Sequence, residues 1–448
     1  MSNDRDDPPP LRIAIVGGGI AGLVTALAFQ QRIASSSSSG SAPITLTLLE
    51  QSPRFAEIGA GVSLGPNAQR VLRLLGLGAE LNAVAGETAH GLGDGELWFQ
   101  FRVGEKGEDE GKVVAHVRGE NGGRGNVHRA DLLDRLAAKL APGVARFQHR
   151  VTSYHPTPHG VSLVFSDPAL APLEVDVVLA SDGIKSPLRA HLYARRGLDE
   201  ELQRARYSEW VAWRGLIPRE RYDEVFGEDK EAPMNRMHLG RGRHILTFPV
   251  RGGSLVNLVG FVRDEEHAKL GEHTGPWSEP RPKDEMLEDF ETFSDQLKEL
   301  LGAIDNPSIW GIFAIPQLTH VTDDRVLLIG DAAHATTPHC GAGAGQAIED
   351  AHIIAALLTH PSILASTGAA RTSAINRALD IYERERQPRA ARVQEWSRQG
   401  GLLYEFLGPE GDDLERVRDA LEGRMGWIWG HDAEGQVRRL EGMLEESA

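Results

Sequence analysis

Two glycine-rich segments constrain this 448-residue chain more than any other feature. One stands near the start and reads Gly17-Gly-Gly-Ile-Ala-Gly22. The other stands late and reads Gly330-Asp-Ala-Ala-His-Ala-Thr-Thr-Pro-His-Cys-Gly-Ala-Gly-Ala-Gly-Gln346. Small residues let the backbone approach a ligand closely. Two such segments predict one elongated dinucleotide, held at its pyrophosphate by the first and farther along by the second. They favour a flavin over a nicotinamide as the permanently held cofactor.

The first segment has the flanking pattern of a dinucleotide-binding turn. Residues 11–16 are apolar and rich in β-branched side chains, which predicts a buried parallel strand, and residues 20–32 have helical periodicity. In this context Gly17 permits the tight turn, Gly19 lets the pyrophosphate come close, and Gly22 lets the helix pack on the strand. The N-terminus of that helix attracts the phosphates.

A second predicted strand, Ile44–Leu49, ends at Glu50. We expect the Glu50 carboxylate to accept hydrogen bonds from the adenosine ribose, as an acidic residue does about 20 residues after such a turn. Glu50 lies somewhat farther along the chain. The serine-rich segment 35–41 accounts for the excess as a flexible surface insertion.

Composition and charge narrow the class of protein. With 41% hydrophobic and 25% charged residues, the chain is expected to be globular and long enough for two packed units. A formal net charge of -16 disfavours nucleic acid and anionic membranes as partners. The single cysteine, Cys340, excludes an internal disulfide and agrees with a reducing compartment. The acidic start and the lack of long apolar runs predict no secretory signal, no membrane span and a cytoplasmic location.

The order of predicted elements indicates an α/β fold whose parts interleave. After a disordered N-terminus at residues 1–10, a Rossmann-like FAD-binding domain is assigned to residues 11–85, 126–200 and 318–360. A β-sheet substrate domain is assigned to residues 201–317 with part of 86–125, and a helical C-terminal region to 361–448. Single strands are predicted at residues 175–180, 210–217, 243–250, 254–262 and 325–330, and helices at 65–75, 128–136, 284–301, 346–358 and 375–396.

Three segments in order carry a family resemblance. Residues 17–22, Asp182-Gly-Ile-Lys-Ser-Pro-Leu-Arg189 and residues 330–338 resemble the three ordered motifs of the single-component (group A) FAD-dependent aromatic monooxygenases. Within that group the chain is similar to the salicylate hydroxylase-like branch. The similarity covers residues 11–436, since Trp427-Ile-Trp-Gly-His-Asp432 also resembles the tail of that branch.

The resemblance implies a reaction. In this family NADH or NADPH reduces FAD, molecular oxygen forms a flavin C4a-hydroperoxide, and the ring of a small phenolic or aromatic-acid substrate takes one oxygen atom. Hydroxylation at the carboxyl-bearing carbon would release carbon dioxide and leave a catechol, whereas hydroxylation beside it would keep the acid. Both outcomes stay open, as does a role in fungal-type phenolic polyketide metabolism. The alternatives are a flavin oxidase or dehydrogenase, and a non-catalytic FAD-binding redox module. The nicotinamide preference and the oligomeric state are not predicted.

Several further residues are candidates for contact with FAD. Asp331 follows a predicted strand end, where its carboxylate would bind ribityl hydroxyls or form only a turn. Gly341, Gly343 and Ala344 precede a predicted helix whose N-terminus favours negative charge on the reduced ring.

The resemblance adds three more cofactor residues. It implies that Asp182 lies near the FAD pyrophosphate and the reduced nicotinamide, and that Arg129 contacts the phosphates. It also implies that Gly61, which ends the segment Glu57-Ile-Gly-Ala-Gly61, lies beside the flavin. An ordinary turn or an exposed helix-start arginine is the alternative for each.

Hydroxylation of a phenol is helped by a base that removes its proton. His244 is the predicted base, since an imidazole titrates near neutral pH and the residue lies on a predicted strand. The run His244-Ile-Leu-Thr-Phe248 resembles the His-x-x-x-Tyr of relatives that hydroxylate aromatic acids. Phe248 lacks the tyrosine hydroxyl but still suits stacking on an aromatic ring. His238 competes for the role of the base, and a structural histidine is the alternative for both.

Two other residues complete the predicted substrate side. Arg214 is a candidate for binding a carboxylate or phenolate, with an ion pair as the alternative. Pro338, by resemblance, lies against the flavin face where oxygen reacts. His334, His339 and Cys340 lack the clustered ligands of a metal site, and no metal is predicted.

Overall fold

The computed structural model describes residues 9–35, 44–55, 61–85, 96–119, 125–227, 235–265 and 277–446. Three predictions fall outside these ranges: the disordered start over residues 1–8, most of the serine-rich insertion, and the loop residues Glu57 and Gly59. The helices are α1 Ile20–Ser35, α2 Pro66–Leu74, α3 Gly78–Ala85, α4 Arg129–Ala137, α5 Pro187–Arg196, α6 Arg219–Phe226, α7 Lys283–Asp289, α8 Asp295–Gly302, α9 Asp331–His334, α10 Gly343–Leu358, α11 Pro361–Leu364, α12 Gly368–Tyr404, α13 Leu414–Leu421, α14 Gly426–Trp429 and α15 Ala433–Glu446. The strands are β1 Leu11–Val16, β2 Ile44–Leu49, β3 Gly61–Leu64, β4 Glu96–Val103, β5 Val113–Gly119, β6 Gly125–His128, β7 Ala145–Arg146, β8 Val151–Thr157, β9 Gly160–Phe165, β10 Leu173–Val175, β11 Val177–Ala180, β12 Arg206–Pro218, β13 Arg236–Gly240, β14 Arg243–Val250, β15 Leu255–Arg263, β16 Ser278–Pro280, β17 Ser308–Ala314, β18 Thr322–Asp323 and β19 Val326–Leu328.

The first described sheet has six strands in the order β18-β19-β11-β1-β2-β7. Its central strands β11, β1 and β2 run parallel. β1 is buried along nearly its whole length, as expected for a parallel strand covered on both faces. The strands predicted at residues 11–16 and 44–49 are confirmed, and the helix predicted at residues 20–32 continues to Ser35. Because the ends of β1, β2 and β11 lie side by side, the polar residues that follow them come together.

A second described sheet has eight strands in the order β16-β17-β12-β15-β14-β13-β4-β5. Side chains of a strand alternate between its two faces. On one face Trp213 joins a core with residues of α7 and α8. On the opposite face Trp210 packs with Phe261, toward the parallel sheet. This second face forms one wall of the cavity described below.

The C-terminal region is helical. α12 runs for 37 residues with Pro388 inside it, and extends well beyond the predicted residues 375–396 at both ends. It packs against α10 and α15, so it ties the end of the chain to the helices of the parallel sheet. None of the helices in the described ranges combines the length and hydropathy of a membrane-spanning segment.

Two elements that were predicted to be continuous are interrupted in the structure. The helix predicted at residues 284–301 is two helices, α7 and α8, because Ser294 accepts a hydrogen bond from the Leu297 amide at 3.3 Å and so starts a new helix. The strand predicted at residues 175–180 is interrupted at Asp176. The carboxylate of Asp176 accepts a hydrogen bond from the Arg12 amide at 2.7 Å, which ties the interruption to β1.

Candidate active site

A cavity of ≈ 750 Å³ lies between the two sheets. It falls in the size range of small-molecule and cofactor sites. The cavity is lined by ten of the eleven predicted cofactor residues: Gly17, Gly19, Glu50, Gly61, Arg129, Asp182, Asp331, Gly341, Gly343 and Ala344. From the predicted substrate side it is lined by Arg214, Phe248 and Pro338. Residues that lie far apart in the sequence are therefore brought to one continuous space.

The turn between β1 and α1 packs too tightly for side chains. Gly17 has a φ of +104°, and a Cβ there would lie 2.4 Å from the carbonyl oxygen of Ser181. A Cβ at Gly22 would lie 1.9 Å from the carbonyl oxygen of Gly17. Gly19, by contrast, has no heavy atom within 4 Å of its Cβ position, so it leaves open space at the N-terminus of α1. Gly22 thus acts through packing, whereas Gly19 faces the place where a phosphate would fit.

Glu50 is held beside this turn by backbone groups. Its carboxylate accepts hydrogen bonds from the amide of Gly18 at 2.8 Å and from the amide of Ser52 at 2.7 Å. These two bonds fix the carboxylate at the end of β2 while it lines the cavity. The predicted contact with the ribose hydroxyls stays a prediction.

The segment after β11 forms a second polar corner. Asp182 accepts a hydrogen bond from the Leu188 amide at 3.2 Å, and burial raises the pKa of its carboxyl group. Gly183 follows with a φ of +81°, a conformation that favours glycine. Arg129, the first residue of α4, also lines the cavity and contributes a positive charge to it.

The late glycine-rich segment forms the remaining cofactor wall. Asp331 begins α9 with an exposed side chain, and Gly341 has a φ of +58°. α10 begins at Gly343, so its N-terminal amides face the cavity next to Ala344. Two helix N-termini, one from α1 and one from α10, and the guanidinium of Arg129 line the same cavity, and this combination fits an anionic dinucleotide. The residues present therefore suit FAD.

Arg214 and Phe248 stand on the wall contributed by the eight-stranded sheet. Burial, followed by the charge of Arg129, lowers the pKa of Arg214 to about 10, which still leaves the guanidinium positive at neutral pH. Its Nε has no hydrogen-bond partner among the described residues, and the guanidinium lies 4.9 Å from the ring centroid of Trp310. Phe248 packs against β3, where a Cβ at Gly61 would lie 2.6 Å from its ring.

The structure places the two other predicted substrate residues outside the cavity lining. His238 points to the face of β13 opposite Met237 and stacks on Phe226 with ring centroids 5.9 Å apart. His244 shares the cavity face of β14 with Phe248 but is fully buried, with Phe261 stacked over it at 4.5 Å. Burial lowers the pKa of each imidazole to about 3. Neither imidazole is among the side chains that line the cavity, and the predicted roles of both histidines stay predictions.

Two histidines line the cavity among the described residues, His149 and His339, and neither was predicted from the sequence to do so. His339 is the one that follows Pro338 in the late glycine-rich segment. Burial lowers its pKa well below the usual range. Neither ring nitrogen has a hydrogen-bond partner within the described ranges. Its position directly after Pro338 was the available signal. His334 bonds Asp350 at 2.6 Å instead, so the two histidines do not share a point where a metal would sit.

An apolar chamber of this cavity adjoins His339, whose ring centroid lies 5.0 Å from that of Phe261. It is lined by aromatic and other apolar side chains of the eight-stranded sheet and the C-terminal region. They are Trp98, Phe99, Phe101, Met237, Leu246, Phe261, Tyr404, Leu421 and Met425. Large flat apolar walls with few polar groups suit an aromatic ring.

The fold and the cavity define a flavoprotein whose cavity also has an apolar part. A family model described as an FAD binding domain matches residues 11–397, and the chain belongs to that family. It is 37% identical over 442 residues to the salicylate hydroxylase of Pseudomonas putida, covering 97% of this chain and 95% of that protein. It is 33% identical over 442 residues to the 6-methylsalicylate 1-monooxygenase of Aspergillus terreus, covering 95% of this chain and 90% of that protein.

A solved salicylate hydroxylase in complex with substrate has the same fold. It superposes with a TM-score of 0.81 at 34% sequence identity, covering 96% of this chain and 98% of that chain. The protein is an FAD-dependent aromatic monooxygenase, which confirms the prediction from the three motifs. The relatives do not favour the oxidase, dehydrogenase or non-catalytic alternatives.

Proposed function

We propose that the protein hydroxylates a small phenolic carboxylic acid of the salicylate type and consumes NADH or NADPH. The relatives named above act, by their names, on salicylate and 6-methylsalicylate. A third, 3-amino-4-hydroxybenzoate 2-monooxygenase of Streptomyces platensis, is 32% identical over 444 residues. All three names describe a hydroxybenzoate, which supports the same substrate class here.

The single observation that carries the proposal is that one cavity is lined both by the apolar chamber and by Arg214. The chamber would bury the ring, and a guanidinium whose Nε has no partner among the described residues would bind the carboxylate. A half-buried cation such as Arg214 gains from an anionic partner because less water screens it than at the surface. An uncharged phenol would offer the Arg214 guanidinium no anionic group to bind.

FAD, when bound, would take two electrons from the nicotinamide and activate molecular oxygen, so that one oxygen atom enters the ring and the other leaves as water. The chain's own residues would hold the ring, exclude water and position the hydroxyl group near Pro338 and His339. If the oxygen enters at the carboxyl-bearing carbon, as the number in the Aspergillus enzyme's name indicates for that protein, the carboxyl group leaves as carbon dioxide. We propose this decarboxylating course first.

The test is a coupled assay on the purified FAD-loaded protein. NADH and NADPH oxidation are followed with salicylate, 6-methylsalicylate, 3-amino-4-hydroxybenzoate and unsubstituted phenol, and product and carbon dioxide are measured. We expect an acid of the panel to stimulate oxidation with matching product, and phenol to do so poorly. Equal turnover of phenol would remove the carboxylate from the proposal. Substrate oxidation without any nicotinamide would instead indicate an oxidase.

The cytoplasm remains the proposed location, supported by the single cysteine.

A further inference from the structure

A buried carboxyl group stands behind the cavity wall. Glu405 follows the last residue of α12 and has no exposed surface. Its carboxyl oxygens lie 2.9 and 2.8 Å from the indole nitrogen of Trp210, and one of them lies 2.9 Å from Nδ1 of His244. The backbone is fixed as well, because the Glu405 carbonyl accepts a hydrogen bond from the Gly242 amide at 3.0 Å. A carboxyl group so placed is costly to bury unless it has a function or a strong structural need.

His244 connects Glu405 to the cavity side. With Nδ1 at the carboxyl group, its Nε2 has no hydrogen-bond partner within the described ranges. The His244 ring lies 5.4 Å, centroid to centroid, from the ring of His339. His339 lines the cavity, and both of its nitrogens also lack a partner among the described residues.

Close packing holds this row of side chains in place. His339 meets Trp210 edge-on at 4.8 Å and Phe261 at 5.0 Å. A Cβ at Gly401 of α12 would lie 2.7 Å from the His339 ring, so only glycine leaves room for the imidazole there. The row therefore runs from the cavity through His339 and His244 to Glu405.

We propose that Glu405 is a positioning residue for the hydroxylation proposed above, acting through His244 to orient His339 and to take up the proton that leaves the substrate's hydroxyl group. In this step the phenolic O–H bond breaks and an N–H bond forms on His339. A turn of the His339 ring brings its other nitrogen to Nε2 of His244, a proton passes between these two nitrogens, and the Nδ1 proton of His244 passes to Glu405. The substrate becomes a phenolate, the carboxylate becomes a neutral carboxyl group, and both imidazoles end neutral. This inference rests on the proposed function.

The surrounding charges agree with this direction of transfer. Burial raises the pKa of Glu405 to about 8, although hydrogen bonding from Trp210 and the charges of Arg263 and Arg243 oppose that rise. Burial lowers the pKa of both imidazoles in the row. A proton in the row therefore resides on the carboxyl group rather than on either ring.

Other titratable groups around the row are held by partners of their own. Arg263 lies 4.2 Å from the Trp210 ring and pairs with Glu209, and Arg243 donates to the carbonyl of Asp289. On the cavity side Tyr404, Cys340 and Arg424 form a separate group, in which burial raises the pKa of the phenol and of the thiol. These groups set the electrostatic background, whereas Glu405 is the acid in contact with His244.

The test compares the FAD-loaded wild type with Glu405→Gln, which keeps the shape and cannot take up the proton. Product formation and product formed per NADH oxidised are measured against pH on the best substrate of the panel. In the wild type we expect product formation to rise with pH through about 8, because the ionised carboxylate is the proton acceptor. In Glu405→Gln we expect this rise to be absent. We also expect kcat to fall by roughly 10-fold or more, a loss no larger than the one caused by removing an acid or base that acts directly on the substrate. KM and the rate of flavin reduction should stay within about 2-fold, while peroxide replaces product.

Two further variants separate this role from a structural one. Asp264→Asn removes another buried carboxylate, which accepts from Tyr207 at 2.8 Å, and should keep the pH-dependent rise. Trp210→Phe removes the indole hydrogen bonds that lower the pKa of Glu405, so the rise should move to higher pH. If Glu405→Gln does not fold, the pH profile of Trp210→Phe provides the test. An unchanged pH profile and unchanged coupling in either Glu405→Gln or Trp210→Phe would overturn the inference. Wild-type protein that forms no product with any substrate would overturn the proposed function itself, and this inference with it.

Discussion

The guanidinium Nε of Arg386 lies 2.8 Å from the carboxylate Oδ1 of Asp350, and the two side chains are 1% and 0% exposed. Asp350 also accepts hydrogen bonds from the Gly330 amide at 2.9 Å and from His334 at 2.6 Å. The late glycine-rich segment is thus fastened to α10 and, through Arg386, to α12. The cofactor wall depends on a buried ion pair formed by residues from two helices.

Asp350→Asn should destabilise the protein strongly. Removing one partner of a buried ion pair leaves the other charge uncompensated, which costs about 3–5 kcal/mol. Unfolding in urea would measure the loss, and FAD affinity should fall with it. The matched control is Asp419→Asn, because Asp419 is 71% exposed and pairs with Arg418 in a surface contact at 3.1 Å, so its loss should stay below about 1 kcal/mol. Equal effects of the two variants would contradict the assigned importance of the buried pair.

Acid should weaken the wild type more steeply than Asp350→Asn. Burial alone would raise the pKa of Asp350, but the charges of Arg386 and His334 outweigh it and hold the pKa well below the usual range. The stabilisation is therefore fully present above the unfolded-state pKa of about 3.9 and is lost as the pH falls below that value. Unfolding free energy measured between about pH 5 and 2 checks this. If the unfolding free energies of the wild type and of Asp350→Asn fell in parallel with pH, other groups would be responsible for the acid sensitivity.

Arg214→Gln should weaken binding of acids selectively. A hydrogen bond to a charged partner contributes about 1.5–3 kcal/mol, which predicts a KM increase of roughly 10- to 150-fold for a hydroxybenzoate and little change for phenol. Arg206→Gln, at the exposed start of β12, is the control and should leave both values unchanged. The dissociation constant of FAD is measured in parallel. Weaker FAD binding with an unchanged KM would move Arg214 to the cofactor side.

Gly61→Ala should disturb the cavity through Phe248. The added Cβ would lie 2.6 Å from the ring, and overpacking of this kind costs about 1–3 kcal/mol. Adding Phe248→Leu should recover part of the loss, because it removes the opposing ring, and the double-mutant cycle measures that coupling. Gly302→Ala has no heavy atom within 4 Å of its Cβ and serves as the control, with a change within about 0.5 kcal/mol. Additive losses would show that Phe248 is not the obstacle.

Glu50→Ala should weaken FAD binding. The carboxylate would lose its bonds to the Gly18 and Ser52 amides, and with them the predicted ribose contact. We expect a rise in the FAD dissociation constant of roughly 10-fold or more, measured by fluorescence titration. Arg54→Ala, on the exposed end of the same loop, is the control. Unchanged FAD affinity in Glu50→Ala would remove the ribose assignment.

The sequence by itself determined the cofactor end of the protein. Gly17 has a φ of +104° and a Cβ at Gly22 would meet the carbonyl oxygen of Gly17, so a dinucleotide-binding turn must display its glycines in order. Strand periodicity and a carboxylate at the end of β2 are equally local, and Glu50 lies where that pattern predicted. Such features can be predicted because the chain within a few residues fixes the geometry.

Only the tertiary structure decided that His339 lines the cavity and that His238 and His244 do not. Strand alternation correctly puts His244 on the same face as Phe248, but it cannot show what covers that face. The cover is His339 from the late glycine-rich segment and Glu405 from the end of α12, and Glu405 is 161 residues from His244 in sequence. Burial and charge depend on such distant neighbours, because the field at a buried group is set by whatever packs around it. Whether a side chain can act as a base therefore depends on the residues that pack around it, whereas a glycine turn depends on its own segment.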